Sequence, residues 1–379
     1  MGLPVGAPQG TLGSLDSSRT WLKPSTLYSG PQSGLVNNLM ALFGYVELAR
    51  KKNMALLLPN FTTHVAGGAT MRFTDLFQPE PFQRALAQIN ITVGEYNYHQ
   101  IVASNGTIRV WPVNRATGGR LTGWFVYKYG RTCSRAEICK KALGEIHTLE
   151  RSQIEAAVLR GLVANDNIRR RVHFVKDGFQ GKNMSYGCLH ARIEDDMAKA
   201  WGFNRAGPPP RLQRYITGIE RNAKLRAIQS IFVAVGVAIR EEDKIQLSRK
   251  TTWGARFYLS RGKTHHVGAK NATLVDVERK KSQEASYTAA ALVDLLVCRE
   301  ADWFVGWPGS TFSRLLGVFA WVDRGSAWHY ACPSSVDLFH TTSPSMDWKD
   351  HNACRDVENV TKIDRKTLTE ATQKSSKHE

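Results

Sequence analysis

Long apolar runs are missing from this 379-residue chain. The longest, Ile231 to Ile239, has nine residues, far short of the ~20 that a bilayer-spanning helix needs, so no transmembrane helix is expected. Met1 to Ser18 is rich in Gly, Pro and Ser, with neither a basic start nor an apolar centre, and does not read as a signal peptide. Cys-x-x-Cys and Cys/His ligand spacings are absent, which argues against structural zinc. Acidic residues are scarce: 33 Asp plus Glu stand against 51 Lys plus Arg, a formal net charge of +18. No internal repeat, helix-turn-helix, zinc finger or RNP-type motif accompanies that excess. The cations are dispersed, with only short clusters at Arg169-Arg170-Arg171 and Lys280-Lys281. The charge has three readings, nucleic acid, an anionic surface or an anionic small substrate; a basic enzyme taking a diphosphate-containing substrate fits as well as a nucleic-acid binder and suits the lumenal address argued below better, so no nucleic acid is expected.

A composition of 42% hydrophobic and 22% charged residues supports a buried core and rules out wholesale disorder. The length suits two domains. Six Asn-x-Ser/Thr triplets, at Asn60, Asn90, Asn105, Asn183, Asn271 and Asn359, exceed the about two that chance would give and suit a lumenal surface. The chain is thus expected in the lumen of the endoplasmic reticulum or Golgi, its targeting segment or native membrane anchor absent from this sequence. Coincidence in a cytosolic protein is the alternative. The six cysteines form an even set: Cys133/Cys139 and Cys332/Cys354 read as local disulfides, while Cys188 and Cys298, in apolar runs, read as small packed hydrophobes.

Along the chain, Thr26 to Tyr28 reads as a strand and Ser29 to Gly34 as a loop. Leu35, Leu39, Leu42, Val46 and Ala49 then recur at helical spacing. Lys51-Lys52-Asn53 ends that helix, and Met54 to Leu58 is an apolar strand closed by Pro59. Strand, glycine loop, helix and strand make a right-handed parallel crossover, whose ligands bind at the loops following the strands. Further on, Trp124 to Tyr127 reads as a strand, Ile154 to Leu162 as a helix, Val172 to Val175 as a strand and Gly178 to Asn183 as a linker. Strands are expected at Tyr186 to Arg192, Ile231 to Val237, Arg256 to Leu259 and Trp303 to Val305, with helices at Leu212 to Ala223 and Tyr287 to Arg299. The expected class is α/β, two doubly wound halves meeting in a cleft. The boundaries are 1–22 for a flexible N-terminal segment, 23–182 and 183–335 for two Rossmann-like lobes, and 336–379 for a polar tail.

Three segments carry chemistry. In Ser33-Gly-Leu-Val-Asn-Asn38, Gly34 permits close backbone approach, while Asn37 and Asn38 set amides at a helix N-terminus, where anions and polyols are favoured. Read alone, it is first an ordinary Asn cap on a surface helix. In Cys188-Leu-His-Ala-Arg-Ile-Glu-Asp-Asp-Met197, His190 and Arg192 share one face at a strand end. There a guanidinium can clamp a phosphate or, alternatively, form an ion pair with Glu194 or Asp196. In Ala301 to Arg314, a strand runs through a Gly/Pro turn into a helix opened by Ser310 and Thr311, by itself a Ser/Thr helix cap and, combined with the Arg192 strand, an anion site made of N–H groups and hydroxyls.

Together these segments resemble the protein O-fucosyltransferase superfamily, including its plant branch. The family's Gly-rich loop ending in paired amides is similar to Gly34-Leu-Val-Asn-Asn-Leu-Met40, and the helix and strand after it to Val46 through Pro59. Its central His-Leu-Arg strand is similar to His190-Ala-Arg192, followed by Ile-Glu-Asp-Asp196-Met197. Its Asp-x-Phe-Ile-Gly-Asn-x-x-Ser-Ser-Phe-Thr block is similar to Asp302 through Ser313, with Trp307 in place of Asn and Thr311 in place of one Ser. The match spans residues 27 to about 320 and is that of a divergent member.

The resemblance implies a GT-B fold with GDP-fucose as donor, inversion at the anomeric carbon, no cofactor and no metal. Arg192 would bind the β-phosphate and assist departure of GDP, and His190 would contact the nucleotide sugar. Asn37 would meet the donor sugar or the acceptor oxygen, beside Gly34 and Asn38. Ser310, Thr311, Phe312 and Ser313 would hold the diphosphate and fucose, and Asp302 with the Asp294 helix would shape the guanine side. The acceptor would be a protein or polysaccharide hydroxyl. Two alternatives stand beside this reading: a metal-dependent transferase or hydrolase using Glu194, Asp195 and Asp196, and a non-catalytic glycan-binding protein.

Overall fold

The computed structural model describes residues 15–24, 35–62, 70–95, 98–112, 148–179, 185–191, 193, 211–235, 240–260, 283–307, 310–324, 328–331 and 338–341. The chain divides into two compact units, Met1–Asn165 and Asp166–Glu379. Among the described residues no helix is long and apolar enough to cross a membrane.

In the first unit, β1 (Thr20–Lys23), β2 (Ala55–Leu57), β5 (Val93–Gly94) and β6 (Arg109–Pro112) form a parallel sheet in the order β5-β2-β1-β6. The expected strand at Thr26 to Tyr28 lies outside the described residues. Trp21 and Leu22 fall within the stretch 1–22 expected to be flexible, yet they are buried in β1, where Trp21 packs with Ala55, Leu57 and Ile108. Two large apolar neighbours are worth several kcal/mol of burial, about 1.5–3 each, enough to order a short strand.

Helix α1 (Leu35–Lys51) joins β1 to β2. Every residue from Leu39 to Ala49 is buried, so the helix is enclosed on all sides and not only along the expected face. Arg50 and Lys51 sit at the negative end of its dipole. Asn53 then turns left-handed (φ 50°), and Met54 N–H closes on Ala49 O at 2.8 Å. The unit's other described elements are a hairpin, β3 (Asn60–Thr62) with β4 (Thr70–Arg72), and the helices α2 (Phe73–Leu76), α3 (Pro79–Ala87), α4 (Tyr98–Ala103) and α5 (Thr148–Gly161).

The second unit opens with α6 (Asp166–Asp177), where a strand was expected at Val172 to Val175. The helical period wins: Ile168 and Val172, four apart, bury together, while Asp166 in the first turn and Lys176 in the last suit the dipole. Phe179, in the expected linker, is buried and stacks on Phe232 at 5.5 Å. The sheet contains β7 (Tyr186–His190), β8 (Ser230–Ala234), β9 (Arg256–Leu259), β10 (Trp303–Gly306), β11 (Trp328–Tyr330) and β12 (Phe339–Thr341), in the order β12-β11-β10-β7-β8-β9. All pairs are parallel except β11 with β12. Its helices are α7 (Leu212–Arg221), α8 (Glu241–Ser248), α9 (Gln283–Glu300) and α10 (Thr311–Arg324).

Cys188 and Cys298, expected as unpaired hydrophobes, form a disulfide that ties β7 to α9 across 110 residues of sequence. Apolar surroundings do not oppose a disulfide, whose sulfurs need no solvation. The expected pairs Cys133/Cys139 and Cys332/Cys354 lie outside the described residues.

Candidate active site

From β7 the sheet grows through β8 and β9 on one side and through β10 and β11 on the other. The order reverses between β7 and β10, and doubly wound sheets take ligands at the carboxyl ends of strands beside such a reversal. His190 ends β7 and Gly306 ends β10, so the residues marked in the sequence as a strand-end histidine and a Gly/Pro turn arrive side by side.

Gly306 is followed by Trp307, which is fully buried and whose O accepts the Ser310 N–H at 3.0 Å. Arg314 N–H donates to Ser310 O at 3.1 Å, the first bond of α10. The N–H groups of Thr311, Phe312 and Ser313 therefore precede the helical ladder, at the positive end of the dipole. Ser310 is buried, and Thr311 and Phe312 are half-buried. The Phe312 ring stacks on His190 with centroids 4.4 Å apart and planes at 25°.

Ser313 is fully buried and lies behind these groups. Its Oγ accepts the Trp307 N–H at 3.1 Å and pairs with His190 Nδ1 at 2.8 Å. It thus bonds within the protein, where the expectation had it touching the substrate. Gly306 makes this seat: a Cβ there would lie 2.4 Å from Ser313 Oγ and 2.4 Å from the Phe304 ring. The sequence reading passed over this role, although a glycine at a strand end before a helix is its signal. Arg314, in the first turn of α10, is buried at 3% exposure, and no expectation assigned it a role.

Asp302 lies elsewhere. It precedes β10 and faces the start of β7: its carboxylate accepts Tyr186 N–H at 2.9 Å, and its own N–H donates to Tyr186 O at 2.9 Å. Four residues separate it from Gly306, roughly 13 Å at about 3.3 Å per residue, so it stands at the amino end of the sheet. That corrects its expected place on the guanine side. Asp294 is buried within α9. Gly34, Arg192, Glu194, Asp195 and Asp196 lie outside the described residues.

In the first unit, Asn37 and Asn38 occupy the third and fourth positions of α1, half-buried. Among the described residues the buried Asn37 Oδ1 has no hydrogen-bond partner, an arrangement that costs stability unless a ligand donor fills it. Further along α1, burial pushes the Tyr45 phenol far above its ordinary value, which keeps it protonated and out of acid–base work at neutral pH.

No protein-family model matches the chain, and no curated protein matches it. Solved structures do. The crystal structure of POFUT1 in complex with GDP has a TM-score of 0.51 at 12% identity, covering 84% of this chain and 99% of that one. POFUT1 in complex with GDP-fucose has a TM-score of 0.46 at 13% identity, over 80% and 95%. The α-1,6-fucosyltransferase NodZ co-crystallized with GDP has 0.45 at 12%, over 86% and 99%, and NodZ from Bradyrhizobium 0.45 at 12%, over 85% and 98%. At this identity the likeness to the first POFUT1 structure is one of fold: the chain is a mixed α/β protein of the GT-B class.

Proposed function

We propose that the protein is a glycosyltransferase that moves fucose from GDP-fucose to a hydroxyl of a protein or polysaccharide, inverting the anomeric centre without a metal. One observation carries the reading: the switch point of the second sheet holds His190, stacked on Phe312, against the first turn of α10. It does so in a fold shared with POFUT1, of which one solved structure contains GDP. A histidine N–H, the N–H groups of a helix start and the Ser310 and Thr311 hydroxyls are donors, the polarity a diphosphate needs.

In the proposed reaction, breaking the anomeric C–O bond leaves both electrons on the β-phosphate oxygen as GDP departs, and the acceptor oxygen bonds to the opposite face of the sugar carbon. The acceptor proton is then lost. Arg192, two residues beyond His190, and the start of α10 would meet the growing phosphate charge more strongly than the resting charge, which lowers the barrier. Asn37 would accept from a sugar or acceptor hydroxyl. The proposed address is the lumen of the secretory pathway. The Cys188–Cys298 disulfide supports an oxidising compartment, and exposed Asn60, Asn90 and Asn105 leave room for glycans.

The test is release of GDP or UDP from a panel of nucleotide sugars, with polypeptide and polysaccharide acceptors supplied. Acceptor-dependent turnover of GDP-fucose that survives a chelator is the expected result. Turnover confined to UDP-sugars, or abolished by the chelator and restored by Mn²⁺, contradicts it.

A further inference from the structure

We propose that Ser313 is a positioning residue that fixes the tautomer of His190, so that Nε2 carries the proton and the ring acts as a donor toward an anionic oxygen. The tautomer follows from the hydrogen-bond geometry alone. The ligand it serves rests on the function proposed above.

Ser313 Oγ has two partners, Trp307 N–H at 3.1 Å and His190 Nδ1 at 2.8 Å. The backbone N–H can only donate, so it takes one oxygen lone pair. Among the described residues the hydroxyl proton then has one acceptor in reach, His190 Nδ1, and donating to it requires that nitrogen to be unprotonated. In the neutral ring the proton then sits on Nε2. The reverse arrangement, with Nδ1–H donating to Oγ, strands the hydroxyl proton of a residue with 0% exposure. A buried donor without an acceptor is the costly case in hydrogen-bond energetics, whereas the first arrangement satisfies all three groups.

Two further features hold the relay in place. Stacking at 4.4 Å on Phe312 fixes the plane of the imidazole, and Ser313 fixes which ring edge faces inward. A half-turn of the ring would put a carbon against Oγ and lose the bond. Gly306 provides the room, since a Cβ there would occupy the space of the hydroxyl. Ser313 thereby acts through His190 and touches no substrate, and His190 meets the nucleotide as a neutral donor with a set direction.

The test uses the full chain labelled with ¹⁵N-histidine, without nucleotide, at about pH 8, above the ordinary histidine value of ~6.5. Long-range ¹H–¹⁵N correlation spectra report which ring nitrogen is protonated. His190 is identified by its loss in His190→Gln and by its shift in Phe312→Leu. The expected spectrum shows Nε2 protonated and Nδ1 bare. A ring protonated at Nδ1 in the parent protein overturns the proposal, whether or not any variant folds. In Ser313→Ala the Nδ1–H form should gain population, and the dissociation constant for GDP should rise about tenfold, the scale of one hydrogen bond. Unchanged GDP affinity in a Ser313→Ala protein whose tautomer has shifted overturns the functional half. Failure of the parent protein to bind GDP counts against the proposed function alone, because the tautomer is read without nucleotide.

Discussion

Asp302 and Tyr186 hold the amino ends of two neighbouring parallel strands together through a pair of hydrogen bonds, each 2.9 Å long, one from each backbone N–H. This clamp stands at the opposite end of the sheet from His190 and Gly306. Asp302→Ala is therefore expected to lower stability by about 1 kcal/mol, the worth of one hydrogen bond, while leaving any preference for GDP over UDP intact. Thermal denaturation with each nucleotide checks this. A selective loss of GDP preference in the folded variant would return Asp302 to the base site.

The disulfide closes a segment of 110 residues around the central strand. Chain-entropy arithmetic gives up to about 4.7 kcal/mol for a loop near that length. Replacing both cysteines by alanine should lower the melting temperature clearly, and reductant should lower that of the parent protein by more than that of the double variant. Equal melting temperatures for parent and double variant would show that the bond contributes nothing.

Most of the second sheet was legible in the sequence, because parallel strands buried on both faces leave apolar runs such as Ile231 to Val235 and Trp303 to Val305 between turn residues. The helix over Val172 to Val175 was not: four residues held two β-branched ones, and only the wider spacing from Ile168 shows the helical period. At the site, His190, Ser310 and Phe312 were legible as motif positions. The inward turn of Ser313 was not, since it depends on Gly306 and Trp307, whose part emerges only when β10 meets α10. The placement of Asp302 was hidden for a related reason. Proximity in sequence to Gly306 suggested a shared site, but a strand carries its two ends apart.

Gly306→Ala tests that junction. With contacts of 2.4 Å waiting for the new methyl group on the Ser313 and Phe304 sides, overpacking should cost about 1–3 kcal/mol. The displaced α10 turn should also weaken nucleotide binding. Calorimetric unfolding and GDP titration together measure both effects. A variant with the stability and affinity of the parent would mean that α10 can retreat without consequence.

Asn37 separates function from stability. Its buried Oδ1 lacks a partner among the described residues, and replacing an unsatisfied polar group by an apolar one of similar size is close to neutral or stabilising. Asn37→Leu should therefore melt no lower than the parent while losing at least about tenfold in turnover, the value of one hydrogen bond of about 1.4 kcal/mol made to the reacting sugar or acceptor. Unchanged turnover would remove Asn37 from the site.

The most direct measurement is the thermal shift given by GDP set beside that given by UDP. A ligand that binds only the folded state stabilises it by about 2.7 kcal/mol at a hundredfold excess over its dissociation constant. On the proposed function, the donors around His190 and the start of α10 would serve any diphosphate, and a guanine pocket would supply the difference by leaving polar groups unpaired against uracil. The expected result is a marked rise in melting temperature with GDP and a much smaller one with UDP at equal concentration. Equal shifts with both, or none with GDP, would contradict it.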